Sequence, residues 1–436
     1  MRRVLLLSTT TGYQTRAFGD AAERIGVELV FATDRCNVLE DPWQDAALAI
    51  RFHDERGSID AIARAAVEKP IDGVLSVGDR PSLIAAATCE VLHLPWHPVD
   101  AVTVARSKLL TRERLRDAGL LTPWFRAIDL ADDPRSLLPV EFPCVVKPVA
   151  LTGSRGVIRV DDEPSLVAAF NRLRSIVKAP DIRGERSDIH DTAVVEGFIE
   201  GPEFAIEGLM TSGQLRVLAI FDKPDPLNGP FFEETIYVTP SSEPTVVQSA
   251  IAEAVTHAAQ AIGLRHGPIH AECRVNERGV FVLEVAARPI GGLCARVLQF
   301  VERTADADRA GAFRSAGSTI SFEELLLRHA IGQPVARYER EPSASAVMMI
   351  PIPRRGLLRR VAGLDEARAV DGVDDVRITA KPDQVLVPLP EGSSYLGFIF
   401  ARAGQPAAAV AALRAAHERL AFDIEPEVRV LQSVHG

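Results

Sequence analysis

The stretch Gly267–Gly292, GPIHAECRVNERGVFVLEVAARPIGG, reads as two short strands joined by a tight polar turn. Along Ile269–Val275, His270, Glu272 and Arg274 alternate with Ile269, Ala271, Cys273 and Val275. That period of two sends the polar side chains to one face and the apolar ones to the other. Asn276-Glu277-Arg278-Gly279 supplies the turn, with Gly279 free to adopt a positive φ. The return strand, Val280–Ala286, is almost wholly apolar and reads as buried, yet it carries Glu284 in its middle. A carboxylate in such a strand needs a cation or strong donors beside it. Glu272 and Glu284 on facing strands, followed by Arg288, therefore read as a site for Mg²⁺ and a phosphate. The competing reading is a half-exposed hairpin whose acids pair with arginines.

Outward from the hairpin, the amphipathic pattern of Thr245–Ile262 predicts a long helix stopped by Gly263. Gln214–Phe221 predicts a strand that ends in Asp222-Lys223-Pro224, and the Pro- and aromatic-rich Asp225–Pro240 carries Glu233-Glu234. In AVVEGFIEGPEFAIEG (Ala193–Gly208), Glu196, Glu203 and Glu207 interrupt an otherwise apolar run around the turn Gly201-Pro202. Earlier still, the strand Phe142–Pro148 has Lys147 just before its end; the loop Leu151-Thr152-Gly153-Ser154-Arg155-Gly156 and a strand from Val157 follow. Strand, lysine, Gly/Ser loop and strand make a hairpin that can fold over phosphates, its amides holding oxygens while Lys147 neutralises charge. No G-K-[ST] follows, so this is not a Walker A loop.

Ala105–Ala118 predicts one strongly charged helix, with Lys108 near its start, closed by Gly119 and followed by Pro123. Pro164–Lys178 reads as a helix and Ala179–Thr192 as a surface excursion. Residues 1–100 alternate strand (Val4–Leu7, Val27–Ala32, Val74–Val77) and helix (Ala17–Ile25, Ile59–Val67), the rhythm of an open parallel sheet. They carry no G-x-G-x-x-G, and His93 and His97 sit by prolines in a connection. On the C-terminal side, Cys294–Glu302 and Phe322–Ala330 read as helices, and the Ala/Asp/Gly-rich Arg303–Ser318 between them as mobile. Beyond Gly332-Gln333-Pro334 an α+β module follows, with strands at Ala344–Ile352, Val373–Ile378 and Tyr395–Ala403 and helices at Leu364–Arg368 and Pro406–Ala421. It gathers no titratable cluster and reads as a lid or substrate-enclosing domain.

A chain of 436 residues is too long for one core. Its 47% hydrophobic and 25% charged residues are ordinary for a soluble globular protein, and the net charge of −10 argues against nucleic-acid binding. No apolar run approaches the roughly 20 residues that span a bilayer. The Met1–Thr15 stretch suits a first strand better than a leader peptide. Cys36, Cys89, Cys144, Cys273 and Cys294 lack metal-site spacing and read as reduced thiols of a cytoplasmic protein.

The assembled order resembles the ATP-grasp superfamily of carboxylate–amine ligases, particularly the L-amino-acid ligase branch. The phrase SSYLGFIFARAG and EVAAR followed by Gly291-Gly292 carry the resemblance to that branch. The fold so implied is a multidomain α/β and α+β architecture. It has a Rossmann-like pre-ATP-grasp domain over 1–101 and an ATP-grasp core over 102–335, itself a nucleotide-covering subdomain (about 115–195) and a metal-binding one (about 200–335). An amino-acid-ligase-like module follows over 336–436. By the resemblance, Lys108 and Lys147 contact the ATP phosphates beneath the loop Thr152, Gly153, Ser154, Arg155 and Gly156. Glu196, Phe198 and Ile199 form the adenine hinge, and Glu203 holds the ribose. Glu272 and Glu284 hold Mg²⁺, with Mn²⁺ as an alternative ion. Arg288 and His270 serve the reacting phosphate. The position two residues after Glu284, where many members carry Asn as a further metal ligand, is Ala286.

The implied reaction is ATP-dependent amide or peptide bond formation through an acyl phosphate, with amino acids as the carboxylate and amine partners. Substrate-pocket candidates are Lys223, Glu233, Glu234, Arg288, Gly291 and Gly292. A ligase or carboxylase for another carboxylate (glycinamide-ribonucleotide-synthetase-like or biotin-carboxylase-like) and a non-catalytic nucleotide-binding protein are the alternatives. No nucleic-acid or membrane partner is expected, and a homodimer is the candidate assembly.

Overall fold

The structure, a computed structural model, describes residues 1–9, 14–34, 47–303 and 319–427. Cys36 and nearly all of the Arg303–Ser318 stretch lie outside the described residues.

At the N-terminus, β1 (Arg3–Ser8), β2 (Glu28–Thr33), β3 (Leu48–Ala49) and β4 (Gly73–Val77) form a parallel sheet in the order β3-β2-β1-β4. Val4, Leu5, Leu6 and Leu7 are completely buried because parallel strands are covered on both faces. Helices α1 (Thr15–Ile25), α2 (Glu55–Glu68) and α3 (Asp79–Leu92) connect and cover the strands. Gly78, at φ +89°, turns the end of β4 directly into α3, whose first residue is Asp79.

The charged helix foreseen over Ala105–Ala118 is broken. It is α4 (Val99–Arg106) followed by α5 (Lys108–Asp117), with Ser107 extended between them. Ser107 caps α5, its side chain accepting from the Leu110 N–H, and this local bond competes with a continuous helix.

A small antiparallel sheet follows, built from β5 (Phe125–Asp129), β6 (Cys144–Pro148), β7 (Ile158–Val160) and β8 (Thr192–Gly197) in the order β5-β8-β6-β7. Val146, Ile158 and Val195 pack there against Phe170 and Leu173 of α6 (Glu163–Ile176), and α7 (Pro180–Arg183) lies beyond.

The largest sheet has eight strands. It joins β9 (Glu203–Thr211), β10 (Gln214–Asp222), β11 (Ile236–Thr239), β12 (Gly267–Asn276) and β13 (Gly279–Ala286) to three strands from later in the chain. The short β14 (Gln299–Glu302), β15 (Ile320–Ser321) and β16 (Tyr338–Arg340) form a sheet of their own, as do β18 (Gly356–Ala362), β20 (Val385–Leu386) and β22 (Ala421–Glu425). Strands β17 (Ala344–Ile350), β19 (Val373–Ile378) and β21 (Gly397–Ala403) complete the large sheet, whose order is β13-β12-β9-β10-β11-β17-β21-β19. It therefore passes from core to C-terminal module without a break. Helix α8 (Thr245–Ile262) packs against it, and one apolar core runs from the N-terminal sheet through α8 and the helix Phe322–Ala330 to Phe400. Cys294–Glu302 is not the helix its spacing suggests. A single 3₁₀ turn, Cys294–Val297, leads into β14, because Phe300 pairs with Ile320 and Arg340 on either side.

Candidate active site

Strands β12 and β13 pair with Glu272 opposite Glu284. One residue later the register slips, and Cys273 faces Val282, leaving Leu283 as the extra residue of a bulge. The bulge frees backbone carbonyls from the ladder. Arg112 of α5, completely buried, takes them up: its Nη1 donates to Val282 O at 2.9 Å and Leu283 O at 3.0 Å. Its other edge grips Glu196 of β8 through Nε (2.7 Å) and Nη2 (3.0 Å). Lys147 of β6 donates to the same carboxylate. One buried arginine thus ties the covering sheet to the acidic hairpin.

These contacts set the charge states. Burial works to raise the Glu196 pKa, but Arg112 and Lys147 outweigh it and hold the carboxyl down at about 2. Lys147, desolvated and beside the Arg112 cation, is pushed down to about 7 despite its carboxylate partner. Lys108, the first residue of α5, donates from Nζ to Leu151 O (2.6 Å) and lies 4.0 Å from Glu284.

A cleft of about 630 Å³ opens over these groups. At one end Val145, Val157, Phe198, Ile199, Phe232 and Leu283 make an apolar slot. Arg274 backs the slot, its guanidinium bonded to Glu203 (2.9 Å) and Ile199 O (2.7 Å). In mid-cleft, Glu203, Glu234 and Glu272 converge, their nearest oxygens within 4.8 Å of one another. Lys223 Nζ bridges them at 2.7, 2.5 and 2.8 Å respectively. Burial would lower the Lys223 pKa, but the three carboxylates raise it, so it is a buried cation. Glu234 is pushed up to about 7 by burial and by Glu272, against the pull of Lys223; Tyr237 donates to it at 2.7 Å.

Toward the other end, His270 of β12 holds Glu207 of β9 at 2.6 Å through Nδ1 and lies 3.6 Å from Glu272 through Nε2. Burial would lower the His270 pKa; Glu207 and Glu272 raise it to about 9, so the ring is an imidazolium at neutral pH. Arg288 sits at the same end and donates to Asp79.

Of the residues singled out from the sequence, the cleft gathers Lys108, Lys147, Thr152, Gly153, Ser154, Glu196, Phe198, Ile199, Glu203, His270, Glu272, Glu284, Arg288, Gly291 and Gly292 along its walls. Four others are placed elsewhere. Arg155 donates from Nε to Glu391 O at 2.8 Å and pairs with Asp181 of α7, and Gly156 gives its N–H to Pro390 O. Lys223 lies behind the carboxylates it bridges. Glu234 lines the cleft and Glu233 does not. Sequence reading passed over Arg112, Tyr237, Gln14 and Asp79, and gave Arg274 only a place in an alternating strand. Arg112 had a signal, since it stands four residues after Lys108 and so shares its helix face. Asp79 and Gln14 had none, for they reach the cleft from a separate sheet.

The donor set suits Mg²⁺, since Glu272 and Glu284 face one another across the hairpin with only oxygen ligands to offer. Ala286, opposite His270, brings no ligand atom.

An ATP-grasp domain family matches residues 140–297, the L-amino acid ligase C-terminal domain 2 matches 348–425, and the ATP-grasp N-terminal domain matches 19–96. The uncharacterised protein y4rH of Sinorhizobium fredii is 24% identical over 98% of this chain and 84% of its own length. An alanine–anticapsin ligase of Bacillus subtilis is 28% identical over 47% of this chain and 46% of its own, so the chain spans about half of that relative. The L-amino acid ligase structure from Bacillus licheniformis superposes with a TM-score of 0.76 at 27% identity, covering 98% of this chain and 99% of that one. Among the described residues no helix is long and apolar enough to cross a membrane.

Proposed function

The chain has the ATP-grasp fold and resembles the L-amino-acid ligases, and on that premise we propose that it joins two amino acids through an amide bond at the expense of ATP. The observation that carries this reading is the convergence of Lys108, Lys147, His270 and Arg288 on a cleft floored by Glu272 and Glu284.

Adenine fits the apolar slot by Phe198 and Ile199, with Glu203 toward the ribose. Lys108, Lys147 and the amides of Thr152, Gly153 and Ser154 face the phosphates. Mg²⁺, when bound by Glu272 and Glu284, would neutralise phosphate charge there. A substrate carboxylate oxygen attacks the γ-phosphorus, the bond to the β-γ bridging oxygen breaks, and ADP leaves an acyl phosphate. The amine then adds to the acyl carbon, phosphate departs with the C–O bond electrons, and the nitrogen loses a proton. Arg288 and the His270 imidazolium stabilise the charge gathered on the transferring oxygens. Covering the site keeps water from the acyl phosphate. Glu234, in the cleft wall, offers a carboxylate to a substrate ammonium, which favours amino acids over other carboxylates.

The test is phosphate release from MgATP across a matrix of paired amino acids, with mass spectrometry of the product. Release that needs two amino acids and yields their condensate supports the reading, and release with none of the pairs overturns it. Glu284→Ala should lower ADP formation by at least about 10²-fold, and substantial retained turnover would remove Glu284 from the site.

A further inference from the structure

The segment Arg288–Gly292 closes the cleft, and the N-terminal domain grips it at three points. Asp79 Oδ2 accepts from Arg288 Nε at 2.9 Å and lies 2.8 Å from Nη2. Gln14, just before α1, donates from Nε2 to Ile290 O at 2.7 Å and to Gly292 O at 3.1 Å. Ile290 is held from the opposite side as well, its N–H donating to Glu207 at 3.1 Å. The Asp79–Arg288 pair is mostly buried, with the side chains 22% and 9% exposed.

How Asp79 meets the guanidinium matters more than the pairing itself. A guanidinium has five N–H donors. Asp79 occupies the side edge, Nε with Nη2, and Pro289 O takes an Nη1 hydrogen at 3.0 Å. Nη1 and Nη2 each keep at least one N–H that can donate to a phosphate or carboxylate oxygen. The ion pair therefore takes the side edge and fixes the plane and direction in which the terminal nitrogens point.

We propose that Asp79 is a positioning residue: the N-terminal domain, through Asp79 and secondarily Gln14, aims Arg288 at the transferring phosphoryl group. The inference rests on the ligase reading above. It makes the β4–α3 junction part of the active site, not only a joint between domains.

Asp79→Ala, Asp79→Asn and Arg24→Ala, each in the full chain, separate the two roles. Arg24 also bridges the N-terminal domain to the core, pairing with Glu324 at 3.1 Å, but it does not line the cleft. Calorimetric binding of MgADP, with and without fluoroaluminate as a mimic of the transferring phosphoryl group, is read beside kcat and KM for ATP on the amino-acid pair found active. Asp79→Ala should leave MgADP affinity within about twofold and abolish the gain from fluoroaluminate. Its kcat should fall roughly 10²-fold at nearly constant KM, as for a misaimed group. Asp79→Asn keeps one acceptor oxygen and should recover about tenfold of that loss, and Arg24→Ala should change kcat less than twofold. If Asp79→Ala keeps the fluoroaluminate gain, or Arg24→Ala loses as much kcat, Asp79 only braces the joint and the positioning role is overturned. If the unmodified protein turns over no amino-acid pair, the ligase reading fails and takes the positioning role with it.

Discussion

Arg112 spends its hydrogen-bonding capacity on one carboxylate and two bulge carbonyls, and it has no solvent to turn to. Removing it strands Glu196 and Lys147 as a buried pair without its third member and leaves Val282 O and Leu283 O unbonded by the side chain. Arg112→Met, close in volume, should destabilise the fold by about 3–5 kcal/mol, measurable by denaturant unfolding. A loss below about 1 kcal/mol would mean that water replaces the guanidinium. Lys147 carries a pH prediction. Its ligand-free pKa is about 7, and triphosphate oxygens bound beside it, as proposed, would raise it. Binding of MgATP at pH 8 should therefore take up about one proton from the buffer, and affinity should weaken as pH rises above about 7. Calorimetry in buffers of different ionisation enthalpy reads the uptake, and its absence would place Lys147 away from the phosphates.

At the scale of elements, the loop Thr152–Gly156 is not held by its own hairpin alone. Gly153 and Ser154 adopt left-handed φ values of 61° and 55°, which shape the turn but leave it few internal bonds. The C-terminal module supplies the anchors: Pro390 O accepts from Gly156, Glu391 O accepts from Arg155, and the Glu391 carboxylate holds Arg172 of α6 at 2.5 and 3.0 Å. Ser393 and Tyr395, just beyond, line the cleft. The module foreseen as a lid thus reaches the covering loop directly. The Glu391–Arg172 pair is partly exposed, so Glu391→Ala should cost no more than about 1 kcal/mol of global stability. Amide exchange over residues 151–156 should nevertheless rise severalfold, because the loop loses a tether. Unchanged exchange there would show that the backbone bonds suffice.

Across the whole molecule, the N-terminal sheet rests on the helix Phe322–Ala330. Gly73, the first residue of β4, lies so close to it that a Cβ would stand 2.4 Å from Ala330 O and 2.8 Å from its carbonyl carbon. Gly73→Val should shift the sheet, lower the melting temperature and cost about 1–3 kcal/mol. Gly19→Ala, inside α1 with nothing within 4 Å of the new Cβ, is the unhindered comparison and should, if anything, gain about 0.5–1 kcal/mol. Equal melting temperatures for the two would show that the joint yields without cost.

Local patterns carried much of this protein by themselves. The period of two along Ile269–Val275 and the Gly279 turn specify the acidic hairpin, and the stripe and Gly263 stop specify α8 over Thr245–Ile262, because short-range sterics and one-sided burial act within a few residues. The same patterns put Lys147 at a strand end before a Gly/Ser loop. What they do not encode is partnership at long range. Whether Ser107 breaks a charged helix, whether Cys294–Glu302 coils or pairs, and which of Glu233 and Glu234 faces the cleft depend on what packs alongside. The choice of Arg112 as the bolt between two sheets, of Lys223 as a buried counter-ion and of Asp79 as the partner of Arg288 was made only by tertiary structure. Each is a charge whose burial is tolerable only when an opposite charge arrives from a distant part of the chain.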